Sequence, residues 1–268
     1  MKKDGMIGFI LILMMALCGC ATDSKTSSDI PRFAGLHVYQ ESDRICAYFE
    51  VNNIKEYKKL IPSVFRMPEK PLCRVMFFDF YEMVEGPPYL ESAIAILVKY
   101  RKTSADEWKL GWYSLLMRVT TIEALGGRPG VFPWGYPKVL RKVTLERSEN
   151  KYIGTSYAED GKREEFRLVL DVIKTPLSDD EKKFLDFVTP LSNVNIKDGE
   201  LIAFAGSKYS VYNWEKTNPS VWRKVKFGNS SIEFSKDRKN YLYRLDVGKF
   251  ITGYWYILRY KYSNQPEK

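Results

Sequence analysis

Strand signals dominate this chain, and in several segments hydrophobic and polar positions alternate with a period of two. Tyr243, Leu245 and Val247 are set against Arg244 and Asp246, and β-branched and aromatic residues crowd the segments Ile45 to Val51, Cys73 to Tyr81, Leu90 to Tyr100, Gly111 to Val119, Lys142 to Glu146, Tyr152 to Ala158, Glu165 to Ile173, Ser207 to Trp214, Tyr241 to Val247 and Tyr254 to Tyr262. Successive side chains of a strand point to opposite faces of its sheet, so this pattern predicts strands. Between them stand residues suited to turns: Glu85-Gly86-Pro87-Pro88, Glu159-Asp160-Gly161 and Lys197-Asp198-Gly199.

Helical periods are few. Ser178-Asp179-Asp180-Glu181 is a capping box, with Leu177 before it and Phe184, Leu185, Phe187 and Val188 behind. A second helix is predicted from Ile54 to Ile61, capped by Asn53, with Glu56 three residues on and Pro62 as the stop. A third, short one follows Thr121 and ends at Gly126-Gly127. Many antiparallel strands with two or three short helices predict an α+β, β-rich fold, a large curved antiparallel sheet or barrel enclosing a pocket.

The pattern breaks at the N-terminus. Lys2 and Lys3 precede an apolar run from Ile7 to Leu17, and Leu17-Cys18-Gly19-Cys20 follows. That run is too short to span a bilayer as a helix and reads as a cleaved signal. Gly19 before Cys20 resembles a bacterial lipobox, which implies a signal peptide over residues 1–19 and diacylglycerol on Cys20; Leu17 is too large for cleavage before Cys18. An ordinary secretory signal is the alternative. Multiple acyl chains would anchor the protein to a membrane, in the bacterial cell envelope. Ala21 after the cysteine favours the outer membrane, facing the periplasm, if the organism is Gram-negative. Thr22 to Asp29 carries no apolar period, so residues 20–30 form a lipidated tether and a single domain occupies 31–268. Its roughly 235 residues suffice for one sizeable core.

Composition then narrows the function. The chain of 268 residues carries a formal charge of +9, or +8 without Met1 to Gly19. Lys and Arg are scattered among acids, with no basic run or helix, which points away from nucleic acid. They suit either attraction to anionic lipid or plain solvation of a β-rich surface. Past the tether, Cys46 and Cys73 are the remaining cysteines, open to pairing or to burial as free thiols. His37 is the single histidine, so a clustered-histidine metal site and a hydrolase triad both lack parts. Neither metal nor cofactor is expected.

The segment Gly126-Gly-Arg-Pro-Gly-Val-Phe-Pro-Trp-Gly-Tyr-Pro-Lys-Val-Leu140 holds Lys138 behind a proline and an aromatic, with Phe132, Trp134, Tyr136 and Val139 around it. Desolvation disfavours an ammonium, so a lysine enclosed in this way can become a nucleophile near neutral pH. Taken alone, a Pro-Lys is more often a turn lysine at the surface. The segment resembles the Schiff-base segment of the acetoacetate decarboxylase family, in which a Gly-Arg pair leads to an aromatic-Pro-Lys-Lys motif. Here Val139 replaces the second lysine, Pro129 replaces an acid after the arginine, and Arg128 to Lys138 spans ten residues where the family usually has about seven.

The resemblance runs from roughly Arg32 to Tyr262. Pro88-Tyr89-Leu90-Glu91-Ser92-Ala93 is similar to the family's Tyr-x-Glu segment, making Glu91 the match for a carboxylate that handles the substrate acid group and a proton. Leu72-Cys73-Arg74-Val75-Met76 looks like a strand where an arginine is followed two residues later by a pocket glutamate; the arginine is kept as Arg74 and the acid is Met76. Arg44 lies near a family pocket arginine. Arg44, Arg74, Trp134 and Tyr136 are thereby implied as substrate-binding residues, and Lys138 and Glu91 as catalytic ones. The aromatics Tyr209, Tyr212, Trp214 and Trp222 suit core packing or a cavity wall.

What the resemblance implies is a lyase acting on a small keto acid through a Lys138 iminium. Condensation or dehydration on the same iminium is an equal extension. Family members often form homo-oligomers. The rivals are a non-catalytic lipoprotein that binds a small molecule in the same fold, and an envelope structural protein that uses only its sheet surface.

Overall fold

The alternating segments become strands of one sheet. The computed structural model describes residues 39–83, 86–125, 135–172, 176–204, 206, 211–213, 222–237 and 240–259. Its strands are β1 (Tyr39–Val51), β2 (Leu72–Met83), β3 (Tyr89–Tyr100), β4 (Lys109–Val119), β5 (Lys138–Leu140), β6 (Val143–Arg147), β7 (Lys151–Tyr157), β8 (Glu164–Val172), β9 (Ser192–Lys197), β10 (Glu200–Phe204), β11 (Trp222–Phe234) and β12 (Val247–Arg259). They lie in the order β10-β9-β4-β3-β2-β1-β12-β11-β8-β7-β6.

The α+β, β-rich class is as the alternation predicts, with two differences. The path does not close into a barrel, and the sheet is mixed: the outer edge of β4 takes β9 in parallel at Gly111 to Tyr113 and β5 in parallel at Met117 to Val119. Both short strands reach that edge by long connections, which is what parallel pairing requires.

The sheet coils back on itself. Phe77 of β2 meets Phe166 of β8 with ring centroids 5.4 Å apart, although three strands, β1, β12 and β11, separate β2 from β8 in the sheet order. A Cβ on Gly154 of β7 would stand 2.3 Å from the Phe77 ring, so only glycine lets the two layers approach this closely. Arg147 of β6 closes the seam on Asp79 and, at 2.8 Å, on Asp43. The first face of the sheet, with Ile45, Phe49, Phe77, Ile96 and Phe166, fills the interior of this coil.

The second face carries Cys46, Tyr48, Phe78, Phe80, Tyr89 and Trp112. It is covered by helix α2 (Asp179–Val188), by the 3₁₀ turns Glu123–Leu125 and Val211–Asn213, and by Tyr136. The capping box of α2 is present: Ser178 Oγ accepts from the Glu181 backbone N–H, and Glu181 accepts from that of Ser178. The other helices are α1 (Ile54–Leu60), capped by Asn53, and α3 (Tyr241–Arg244).

Two predicted strands differ. Tyr241 to Val247 begins as the turn of α3, capped by Asn240, whose side chain accepts from the Leu242 N–H; β12 starts only at Val247. Asparagine at a cap competes with extended backbone and wins here. Val211–Asn213, within the predicted strand from Ser207 to Trp214, is a 3₁₀ turn, and the remainder of that prediction lies outside the described residues. Cys46 and Cys73 are both buried and free, on opposite faces of the sheet. Among the described residues no helix is long and apolar enough to cross a membrane.

Candidate functional site

The second face can be read as a grid of rows running across the strands. One row pairs Tyr254, Cys46, Met76, Ala93, Met117 and Lys138 in succession across β12, β1, β2, β3, β4 and β5. The next pairs Tyr256, Arg44, Phe78, Glu91 and Val119. Lys138 and Glu91 thus stand on strands separated by β4. Their side chains close over it, Lys138 Nζ to Glu91 Oε2 at 2.8 Å. Lys138 is 3% exposed and Glu91 4%.

The local chain explains how Lys138 reaches this place. Gly135 has φ +72° and a Cβ there would lie 2.4 Å from the Ile196 carbonyl oxygen, so the chain at Gly135 turns tightly against β9 before β5 begins. Tyr136 stacks on Phe204 of β10 with centroids 5.7 Å apart. The Met117 N–H donates to the Pro137 carbonyl, which starts the pairing with β4. Val139, one residue on, pairs with Arg118 and turns to the other face. The position that departs from the Lys-Lys motif therefore does not line the face that holds Lys138.

The two arginines part company. Arg44 lies over the rings of Phe78 and Phe80, at 5.1 and 5.4 Å. Phe80 stacks on Tyr89 at 4.6 Å, and Lys138 Nζ lies 5.7 Å from the Tyr89 centroid. A continuous aromatic shelf thus joins Arg44 to the Lys138–Glu91 pair. Arg74 leans the opposite way: its Nη2 donates to Asn193 Oδ1 at 2.5 Å and its guanidinium lies 4.8 Å from the Trp112 ring. Between the two ends the floor is Cys46, Met76, Ala93 and Met117.

Near Arg74 the face becomes aromatic and hydroxylic. The Tyr48 and Tyr254 hydroxyls are 3.4 Å apart, and burial pushes both phenols up from their ordinary range. Burial likewise raises the Cys46 thiol, against the opposing pull of the Arg74 cation.

Of the residues implied from sequence, Lys138, Glu91 and Arg44 come together, Tyr136 supports them from the covering layer, and Arg74 sits at the far end of the same face. Trp134 and Cys20 lie outside the described residues. Tyr48, Tyr254, Asn193 and Asn195 were not anticipated. Alternation of Asn193 and Asn195 with Val194 and Ile196 is the signal that could have found the last two.

Fold and site together define a β-rich α+β protein with an amine and a carboxylate buried as a pair on one sheet face. The sequence model of the acetoacetate decarboxylase (ADC) family matches residues 24–263, and the chain belongs to that family. Among solved structures it is similar to the acetoacetate decarboxylase of Legionella pneumophila, with a TM-score of 0.62 and 17% identity over 92% of this chain and 94% of that one. It is also similar to the enduracididine biosynthesis enzyme MppR complexed with pyruvate, with a TM-score of 0.53 and 10% identity over 81% and 84% of the two chains. An acetoacetate decarboxylase-like enzyme from Sphingomonas wittichii RW1 gives a TM-score of 0.51 and 16% identity over 82% and 89%. These likenesses show a shared fold. No curated protein matches the sequence.

Proposed function

We propose that the protein forms an iminium between Lys138 and a small keto acid and uses it for carbon–carbon bond chemistry, decarboxylation first among the options. The observation that carries this is the buried Lys138–Glu91 pair at 2.8 Å, reached by Arg44 across the aromatic shelf. Burial is what a lysine nucleophile needs, and the carboxylate at its side is a ready proton acceptor.

The Lys138 ammonium gives a proton to Glu91, and the amine lone pair attacks the ketone carbon. Glu91 returns the proton to the oxygen, water leaves, and the iminium remains. Loss of carbon dioxide sends its bonding electrons into the iminium, giving an enamine that is protonated at carbon; water then hydrolyses the new iminium and frees Lys138. Arg44 suits the substrate carboxylate, because a guanidinium binds that group through paired hydrogen bonds. The similar L. pneumophila protein is an acetoacetate decarboxylase, and MppR is known in complex with pyruvate; both support a keto acid as substrate.

Reversible iminium formation exchanges the ketone oxygen with solvent, whatever follows. In water enriched in oxygen-18, the protein should label acetoacetate faster than buffer does, and Lys138→Ala should abolish the excess. Labelling no faster than buffer would remove the reading and favour the second one, a protein that holds a keto acid without reacting. The closed ion pair is the observation on that side, since it has to open before the amine can attack.

We further propose that Cys20 carries a lipid anchor that places the domain on the envelope membrane. Labelling of the growing cells with a radioactive fatty acid should mark the wild type and not Cys20→Ser.

A further inference from the structure

The row beyond Cys46 and Met76 pairs Thr252, Tyr48, Arg74, Ala95 and Ser114. Extending the parallel register of β4 and β9 by one step sets Asn195 beside Ser114. Apart from Ala95 the row is polar, and apart from the half-buried Arg74 it is buried. Asn195 is 0% exposed and Thr252 1%, and neither the Asn195 amide oxygen, its amide nitrogen nor Thr252 Oγ1 has a hydrogen-bond partner among the described residues. Arg74 Nε is likewise buried and unpartnered.

The charge is unbalanced in the same place. Arg118 is paired with Glu165, and Arg147 with Asp43 and Asp79. Arg74 makes no ion pair among the described residues; what it touches is Asn193 Oδ1 and the Trp112 ring. Buried polar groups are nearly always satisfied, and an inward guanidinium without a carboxylate asks for an anion. Asn193 and Asn195 project from the same face of β9 one repeat apart, ~6.7 Å along the strand, so the guanidinium that reaches one is close to the other. A carboxylate here would accept from Arg74 and from the Asn195 amide N–H.

We infer that Arg74, Asn193 and Asn195 form a second carboxylate subsite one row beyond Lys138, at the end of the face opposite Arg44. This rests on the keto-acid reading above and extends it: the substrate is a keto acid with a second, terminal carboxylate, its carbon chain lying over Met76, Ala93 and Met117. The neutral floor fits methylene groups, and the two cationic ends fit a dianion.

The test compares matched pairs on the full chain: 3-oxoadipate against 3-oxohexanoate, and 2-oxoadipate against 2-oxohexanoate. Each is trapped on the protein with borohydride, and half-saturation is read by mass. The dicarboxylate should saturate at a concentration at least tenfold lower. That ratio should fall to about one in Arg74→Met and in Asn195→Asp, a near-isosteric change that sets a carboxylate against Arg74 in place of the ligand's. Thermal denaturation verifies that each variant is folded. Equal trapping of both members by the wild type would overturn the subsite, leaving a buried water as all that Asn195 holds, while the iminium reading stands. Should nothing be trapped, the iminium reading fails, and equilibrium dialysis of adipate against hexanoate decides the subsite alone. Binding of adipate that is lost in Asn195→Asp supports it; no preference for adipate overturns it.

Discussion

At the scale of single residues, the Lys138–Glu91 pair is the costly feature of this protein. Taking two charges out of water is repaid only while both are present, so removing one partner leaves a buried, uncompensated charge. Lys138→Met alone should therefore lower unfolding stability by about 3–5 kcal/mol. Lys138→Met combined with Glu91→Leu should recover most of that loss. Urea denaturation of the two single variants and the double variant measures the coupling. Additive losses would mean that the two side chains do not share a desolvated environment. Val139 stands outside this pair. Because β5 alternates, that residue pairs with Arg118 on the opposite side, and the departure from the family's Lys-Lys motif lies off the face that holds Lys138.

At the scale of elements, β5 is three residues long and is held in place by what surrounds it rather than by its own propensity. Gly135 is the point of entry. An alanine there would combine a positive φ with a Cβ 2.4 Å from the Ile196 carbonyl oxygen, which should cost about 1–3 kcal/mol and move β5 against β4. Gly135→Ala is thus expected to lower the midpoint of thermal unfolding and to weaken trapping at Lys138 together. Lowered stability with unchanged trapping would show that β5 is positioned by Tyr136 and β4 alone. Elements such as β5 mark the limit of what was legible in the sequence. Runs rich in β-branched and aromatic residues in β2, β3 and β12 announced themselves, and so did the Ser178 capping box. β9 and β10 hid behind asparagines and a glutamate, and α3 behind an alternation that its Asn240 cap overrode. Lys138 and Glu91 were legible through motif resemblance, whereas the far end at Asn195 depends on a parallel pairing between β4 and β9 that no local pattern encodes.

At the scale of the whole molecule, the coil buries many acids that ionise at alkaline pH. Burial pushes the Cys73 thiol from an ordinary 9.0 up to about 12, and the Tyr241 phenol from 10.0 up to about 12. Cys46, Tyr48 and Tyr254 shift the same way. A group whose folded pKa is raised stabilises the fold fully below its unfolded pKa and loses that contribution as pH rises through the folded one. Stability should accordingly be unaffected by these groups below pH 9 and fall between pH 9 and 12, by up to about 1.4 kcal/mol per pH unit for each group. Denaturation midpoints across that range test this; constancy up to pH 12 would place these groups in water.

The coiled sheet, the covering helix α2 and the short strand β5 converge on one amine. The most direct measurement is therefore to incubate the full chain with acetoacetate or pyruvate, reduce with borohydride, digest, and map the modified peptide by mass. The account predicts a single adduct on Lys138, absent from Lys138→Ala and reduced in Glu91→Gln. An adduct on other lysines alone, or none with any carbonyl acid tried, would contradict it.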